Sequence, residues 1–167
     1  MRERIDLEAR ENSDRLGLSL YNPDLYETDF YQWTQVQATL LRQRVWTSLD
    51  IENLAEEIES LGKQQKQELR NRLGILIGHL LKWEYQPNLR SKSWVATIDV
   101  QRDEIIHLLR ENPSLKPYLE EAVARGYKQS IALVIQETPL GKQDLPLQVP
   151  YTIAQILDPQ FPVGIDL

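Results

Sequence analysis

The segment LRNRLGILIGHLLKWEYQP, residues 69–87, decides how this chain folds. Leu69, Leu73, Leu76, Ile77, Leu80 and Leu81 recur at spacings of three and four, the mark of a helix with one apolar face. Pro87 ends that helix, because proline has no backbone N–H and biases the residue before it away from helical geometry. Gly74 and Gly78 lie one turn apart inside the run. Glycine costs about 1 kcal/mol relative to alanine in a helix interior, so the pair predicts that another backbone approaches closely there. The segment is therefore expected at the centre of the molecule, with the chain folding back at Pro87.

Helical patterns continue on both sides. Toward the N-terminus, Thr28 is the expected N-cap of a helix with Asp29 in its first turn and Phe30, Trp33, Val36, Leu40 and Leu41 on its apolar face. Asp50 caps a second helix, which presents Ile51, Leu54, Ala55, Ile58 and Leu61 and is expected to end at Gly62. The central helix then starts near Lys63. Toward the C-terminus, Ser91 or Ser93 opens a fourth helix that buries Trp94, Ile98, Ile105, Leu108 and Leu109. A fifth begins near Pro113 or Ser114 and buries Leu119, Ala122, Val123, Ser130, Ile131, Val134 and Ile135. Beyond Glu137, Pro139, Gly141, Pro146, Pro150, Pro159 and Pro162 leave room for an extended strap and one short helix in YTIAQILD.

The expected class is all-α: about five helices in a mostly antiparallel bundle, with a proline-rich C-terminal strap and a short terminal helix. Residues 26–162 form a single helical domain in this reading. An N-terminal arm, residues 1–25, precedes it as a flexible segment or short helix, and a tail, residues 163–167, follows.

Composition narrows the chemistry. The 167 residues are 41% apolar and 26% charged and include no cysteine, which removes disulfides, thiolate catalysis and cysteine-held metal centres. No apolar run approaches the ~20 residues of a membrane helix, and the first residues lack the apolar core of a signal peptide. A cytoplasmic protein without a membrane span is expected. The net charge of −6 is unevenly spread: 6 basic and 13 acidic residues over 1–60, 9 and 5 over 61–110, 4 and 7 over 111–167. The simplest arrangement folds acidic DIENLAEEIES beside basic KQQKQELRNR as a hairpin. The overall acidity weighs against nucleic acid, which calls for accumulated positive charge.

Chemistry-bearing residues gather around the Pro87 corner. Glu56, Glu59, His79, Lys82, Arg90 and Trp94 form the candidate pocket, between the acidic helix 50–61 and the corner 79–102. Glu52, Glu56 and Glu59 share one stripe, and in such a pocket a carboxylate and His79 would exchange protons while the cations hold an anionic group. That would be a small enzyme or a nucleic-acid-acting protein. No metal or other cofactor is expected, since neither the Glu-x-x-His pairing of di-iron bundles nor a His-Glu-x-x-His pattern occurs. Gly-x-Ser-x-Gly and phosphate-loop motifs are also missing. Trp83 and Trp94 read first as packing about the corner, with stacking on bases as the alternative. Without a compact catalytic motif, the chain reads foremost as a non-enzymatic helical module. Its partner would be another protein or a second copy, engaged through the arm and the tail.

Six ordered blocks carry a resemblance: YETDFYQWTQVQATLLR, LDIENLAEEIESLGK, HLLKWEYQP, RSKSWVATIDVQR, NPSLKPYLEEA and PYTIAQILD. Together they resemble the domain of unknown function 29 family, best populated in cyanobacteria, from about Tyr26 to Pro162. The resemblance implies a compact helical domain and includes the corner residues in the family pattern. It brings no activity or catalytic residue with it.

Overall fold

The computed structural model describes residue 22 and residues 24–162, so the tail and nearly all of the N-terminal arm lie outside the described residues. Regular structure among the described residues is entirely helical, which gives the all-α class its answer. The helices are α1 (Leu25–Thr28), α2 (Phe30–Gln43), α3 (Ile51–Tyr85), α4 (Lys92–Glu111), α5 (Leu119–Glu137) and α6 (Ile153–Leu157). Tighter 3-10 turns at Trp46–Ser48, Pro87–Leu89, Pro113–Tyr118 and Lys142–Asp144 join them. The chain divides into two compact units, Met1–Leu61 and Gly62–Leu167. None of its described helices is long and apolar enough to cross a membrane.

Among the described residues of the first unit, Leu25, Trp33, Leu40 and Val45 are the buried apolar ones. Asp29, not Thr28, caps α2: its carboxylate accepts the Gln32 N–H at 2.9 Å, while the Thr28 hydroxyl turns back to the Asp24 carbonyl and closes α1. Arg44, in the left-handed region at φ 60°, ends α2. Asp50 opens α3 as the sequence predicts and does more. Its carboxylate accepts from the Asn53 N–H, the Asn53 side-chain amide and Trp33 Nε1, and its own N–H donates to Gln37 Oε1 at 3.0 Å. Burial works to raise the Asp50 pKa, but those hydrogen bonds outweigh it and hold the carboxyl below its ordinary value.

The largest departure from the sequence reading lies at Gly62. Two helices are expected around it, yet α3 continues through it as one helix of 35 residues. An interior glycine weakens a helix without ending it; termination needs a left-handed residue or a proline. The flanking Glu, Gln and Lys residues are good helix formers, and nothing lies within 4 Å of where a Gly62 side chain would sit. DIENLAEEIES therefore precedes KQQKQELRNR along one helix, and the expected hairpin does not form. The face of the first segment differs too, because Ile51, Ile58 and Leu61 stay exposed.

In the second unit, Leu69, Leu73, Leu76, Ile77, Leu80 and Leu81 are fully buried among residues of α4, α5 and the strap, including Ile98, Ile105, Val134, Tyr151 and Ile156. The central role assigned to residues 69–81 is what the structure has. The glycine expectation is also met: a side-chain carbon on Gly74 would stand 3.1 Å from the Gly126 carbonyl, and one on Gly126 would stand 2.9 Å from the Arg70 carbonyl. Helices α3 and α5 thus cross backbone to backbone. Ser91 caps α4, and Thr152 with Gln155 forms a capping box on α6. The strap is fastened from beneath by Arg102, whose buried guanidinium donates through Nε to the Ile156 carbonyl at 2.9 Å and through Nη2 to the Phe161 carbonyl.

Candidate functional site

The six nominated pocket residues fall in both units. Glu56 and Glu59 belong to the first unit, and His79, Lys82, Arg90 and Trp94 to the second. Within the second unit, three of the four converge. The Lys82 ammonium, on a side chain with 2% of its surface exposed, meets Glu137 Oε2 of α5 at 2.6 Å and His79 Nε2 at 3.2 Å, and lies 4.8 Å from the centre of the Trp94 ring of α4. The His79 Nδ1–H donates to the Ile75 carbonyl at 3.0 Å. A carbonyl can only accept, so Nε2 is the acceptor for Lys82 and the ring is neutral. Burial pulls the His79 pKa below 6.5, and the neighbouring Lys82 charge adds to it against the opposing pull of the Ile75 bond and Glu137.

The Lys82 ammonium is fully engaged. The ammonium's donors go to a carboxylate, an imidazole and an indole face, and its side chain does not reach solvent. It joins three helices through one buried charge. Glu137 supplies the carboxylate, a residue that local spacing on the acidic helix does not reveal because it lies 55 positions from Lys82.

Arg90 serves the helix end. Its Nε donates to the Trp83 carbonyl at 2.9 Å, one of the last-turn carbonyls α3 leaves unpaired, and its guanidinium lies 4.7 Å from the Trp83 ring centre. Beside it a cleft of about 300 Å³ is lined by Trp83, Glu84, Arg90, Tyr151, Gln155 and Phe161. Its acid is taken: the Tyr151 hydroxyl donates to Glu84 Oε2 at 2.6 Å, and burial followed by that bond pushes the phenol pKa far up. At the corner Trp83 and Trp94 thus each lie against a cation, and Lys82 and Glu84 are bonded to partners in other elements. Among the described residues, no three histidine or carboxylate side chains converge as a metal set.

The unsatisfied chemistry is apolar and lies in the first unit. Ile51, Ile58 and Leu61 are 66%, 67% and 60% exposed, and they share one face of α3 with half-buried Leu54. Their positions i, i+3, i+7 and i+10 make a two-heptad seam, with isoleucine at a and leucine at d. The stripe Glu52, Glu56 and Glu59, all exposed, lies roughly 145° round the helix from the midline of that seam. The signal was present in the sequence as the very periodicity that predicts a buried face.

No curated protein and no solved structure matches the chain. The model of one family does match, from residue 25 to residue 162, across both units. By that match the chain belongs to the family described as domain of unknown function DUF29.

Proposed function

We propose that this chain is a protein-interaction module, and that it docks on a helix of a protein partner through the seam Ile51, Leu54, Ile58 and Leu61. What carries this reading is the outward exposure of three large aliphatic side chains on a single helix face. Burying an isoleucine or leucine is worth about 1.5–3 kcal/mol, so a regular seam left in water is a surface awaiting cover. The rest of the first unit points the same way. Phe30, Tyr31, Leu41 and Trp46 are also exposed, while buried apolar residues among those described there number four. Such a seam selects a partner helix with apolar a and d positions. The polar cluster at Lys82 gives the enzymatic alternative no comparable support, since its groups are committed to one another.

A synthetic helical peptide with leucine at a and d and lysine at e and g tests this directly. Fluorescence anisotropy should report binding to the wild-type chain and its loss in Ile58→Asp, a substitution at an exposed site that leaves the core intact. Failure of the wild type to bind, or equal binding by Ile58→Asp, overturns the reading.

A further inference from the structure

We infer that the second unit carries a binding site for a free single-chain carboxylate, a fatty-acid anion, in an apolar groove rimmed by Lys128 and Lys142. The groove lies between α5 and the chain that follows it, with a volume of about 570 Å³. That is within the range of about 300–1,000 Å³ usual for small-molecule sites. Ile131, Ala132 and Ile135 form its α5 wall, and Pro146 and Leu147 supply the strap side. Leu147 is 94% exposed, the most exposed of the large apolar residues described. Nearby Leu145 is buried in the core, and the Tyr127 hydroxyl donates to the Pro146 carbonyl at 2.6 Å. The strap is therefore held in place beside Leu147, and the groove is formed before any ligand arrives.

The lining chooses among occupants. Lys128 and Lys142 both stand on it, both exposed, and neither has a hydrogen-bond or ion-pair partner among the described residues. No carboxylate is among the described residues that line the groove. Its positive charge thus lacks an internal counterion and calls for a ligand with an anionic end. The rest of the lining is aliphatic apart from Tyr127, whose hydroxyl proton is already given to Pro146. An extended peptide laid there would find one side-chain acceptor, the Tyr127 oxygen, for its whole row of N–H groups, since ammonium groups only donate. An unbranched hydrocarbon chain asks for none. Tyr127 and Ile135 are eight positions apart on α5, so that wall runs about 12 Å, the scale of a medium-length alkyl chain. The inference stands apart from the seam, which belongs to the first unit.

Isothermal titration of the full chain with octanoate, nonanoate and decanoate, each below the concentration at which it forms micelles, tests the assignment. Binding should be one to one and strengthen about three- to fourfold with each added methylene. Decanol, without the charge, should bind about fivefold more weakly than decanoate, and added salt should narrow that gap. A Lys128→Gln/Lys142→Gln double variant should lose about fivefold for decanoate and little for decanol. Ala132→Trp should lose both ligands, because its side chain fills the groove. All three positions are exposed, so both variants should fold, as circular dichroism and the melting temperature will check. Ile58→Asp, altered only on the first unit, should bind decanoate as the wild type does. Absence of saturable binding overturns the inference, as does decanoate affinity that survives Ala132→Trp or falls in Ile58→Asp. Equal affinities for decanoate and decanol remove the lysines from the site and the carboxylate assignment with them. A chain that ignores decanoate but sediments with phosphatidylglycerol vesicles, or binds an acidic amphipathic peptide, carries a docking face there instead, and the assignment fails.

Discussion

Lys82 of α3 and Glu137 of α5 meet at 2.6 Å, with the lysine side chain shut away from solvent and the glutamate half exposed. The pair is asymmetric, and the asymmetry sets its mutational signature. Removing Glu137 strands a buried cation, whereas removing Lys82 returns a carboxylate to water. Glu137→Ala should cost about 1–3 kcal/mol in denaturant unfolding, reduced from the fully buried case by the glutamate's exposure. Lys82→Met should cost less than Glu137→Ala. The reverse order would show that the ammonium is not buried as described.

His79 should make stability pH-dependent in a stated direction. Its folded-state pKa lies below the unfolded value of 6.5, so the unfolded chain binds the proton more tightly. The neutral ring's full contribution is therefore present above pH 6.5 and declines as pH falls from there toward the depressed folded value. The groups facing it, Lys82 and Glu137, oppose one another in this, with burial dominant. Melting temperature should fall between neutral and mildly acid pH, and His79→Phe should flatten that slope. An unchanged slope in the variant would assign the effect elsewhere.

Two glycines should respond to alanine with opposite signs. At Gly126 the new carbon would stand 2.9 Å from the Arg70 carbonyl and 3.1 Å from the Gly74 N–H nitrogen, so backbone must move. A loss of about 1–3 kcal/mol is expected from such overpacking. Gly62 has nothing within 4 Å and sits in a continuous helix. Gly62→Ala should stabilise by about 0.5–1 kcal/mol, read as a higher denaturation midpoint with increased helical circular dichroism. A destabilising Gly62→Ala would mean that α3 is not continuous there.

Asp50 holds α2 to the start of α3 through Trp33, Gln37 and Asn53. Asp50→Ala should cost about 1–2 kcal/mol as a lost N-cap, and the Asn53 amide should exchange faster with deuterium. Because the folded-state pKa is depressed, the carboxylate's contribution is present above the ordinary value of 3.8 and disappears as pH falls below it. The wild type should lose in acid part of the advantage it holds over Asp50→Ala at neutral pH. If Asn53 exchange is insensitive to the substitution, the cap does not form.

Much of this architecture was written in local spacing. The central helix follows from the leucine period, and the close crossing at Gly74 from the cost of two unexplained glycines. Its counterpart was readable as well: Gly126 and Ser130 repeat the four-residue interval of Gly74 and Gly78, and both are buried on α5. Gly62 misleads because glycine lowers helix propensity without a stop signal, and the good formers on both sides decide the outcome. The seam shows a different limit. Periodicity tells that a face seeks cover, but not whether the cover lies in the same chain.

The site divides along the same line. His79, Lys82 and Trp94 converge because Lys82 lies one turn from His79 on α3 and the turn after Pro87 brings α4 alongside. Glu137 and Tyr151 arrive from 55 and 67 positions away. Ion pairs and hydrogen bonds of that span depend on the tertiary path, and a sequence pattern does not encode them.

Arg102 has a consequence for how the C-terminal quarter behaves over time. A proline-rich thread with one five-residue helix would ordinarily fray and be clipped by proteases well before the remainder opens. Here two of its carbonyls are gripped by a cation buried in α4, so lifting the thread exposes that charge together with Ile156 beneath it. Release of residues 156–161 is therefore coupled to opening of the core beneath them, and chymotrypsin should find Leu157 closed until the hydrophobic interior itself gives way.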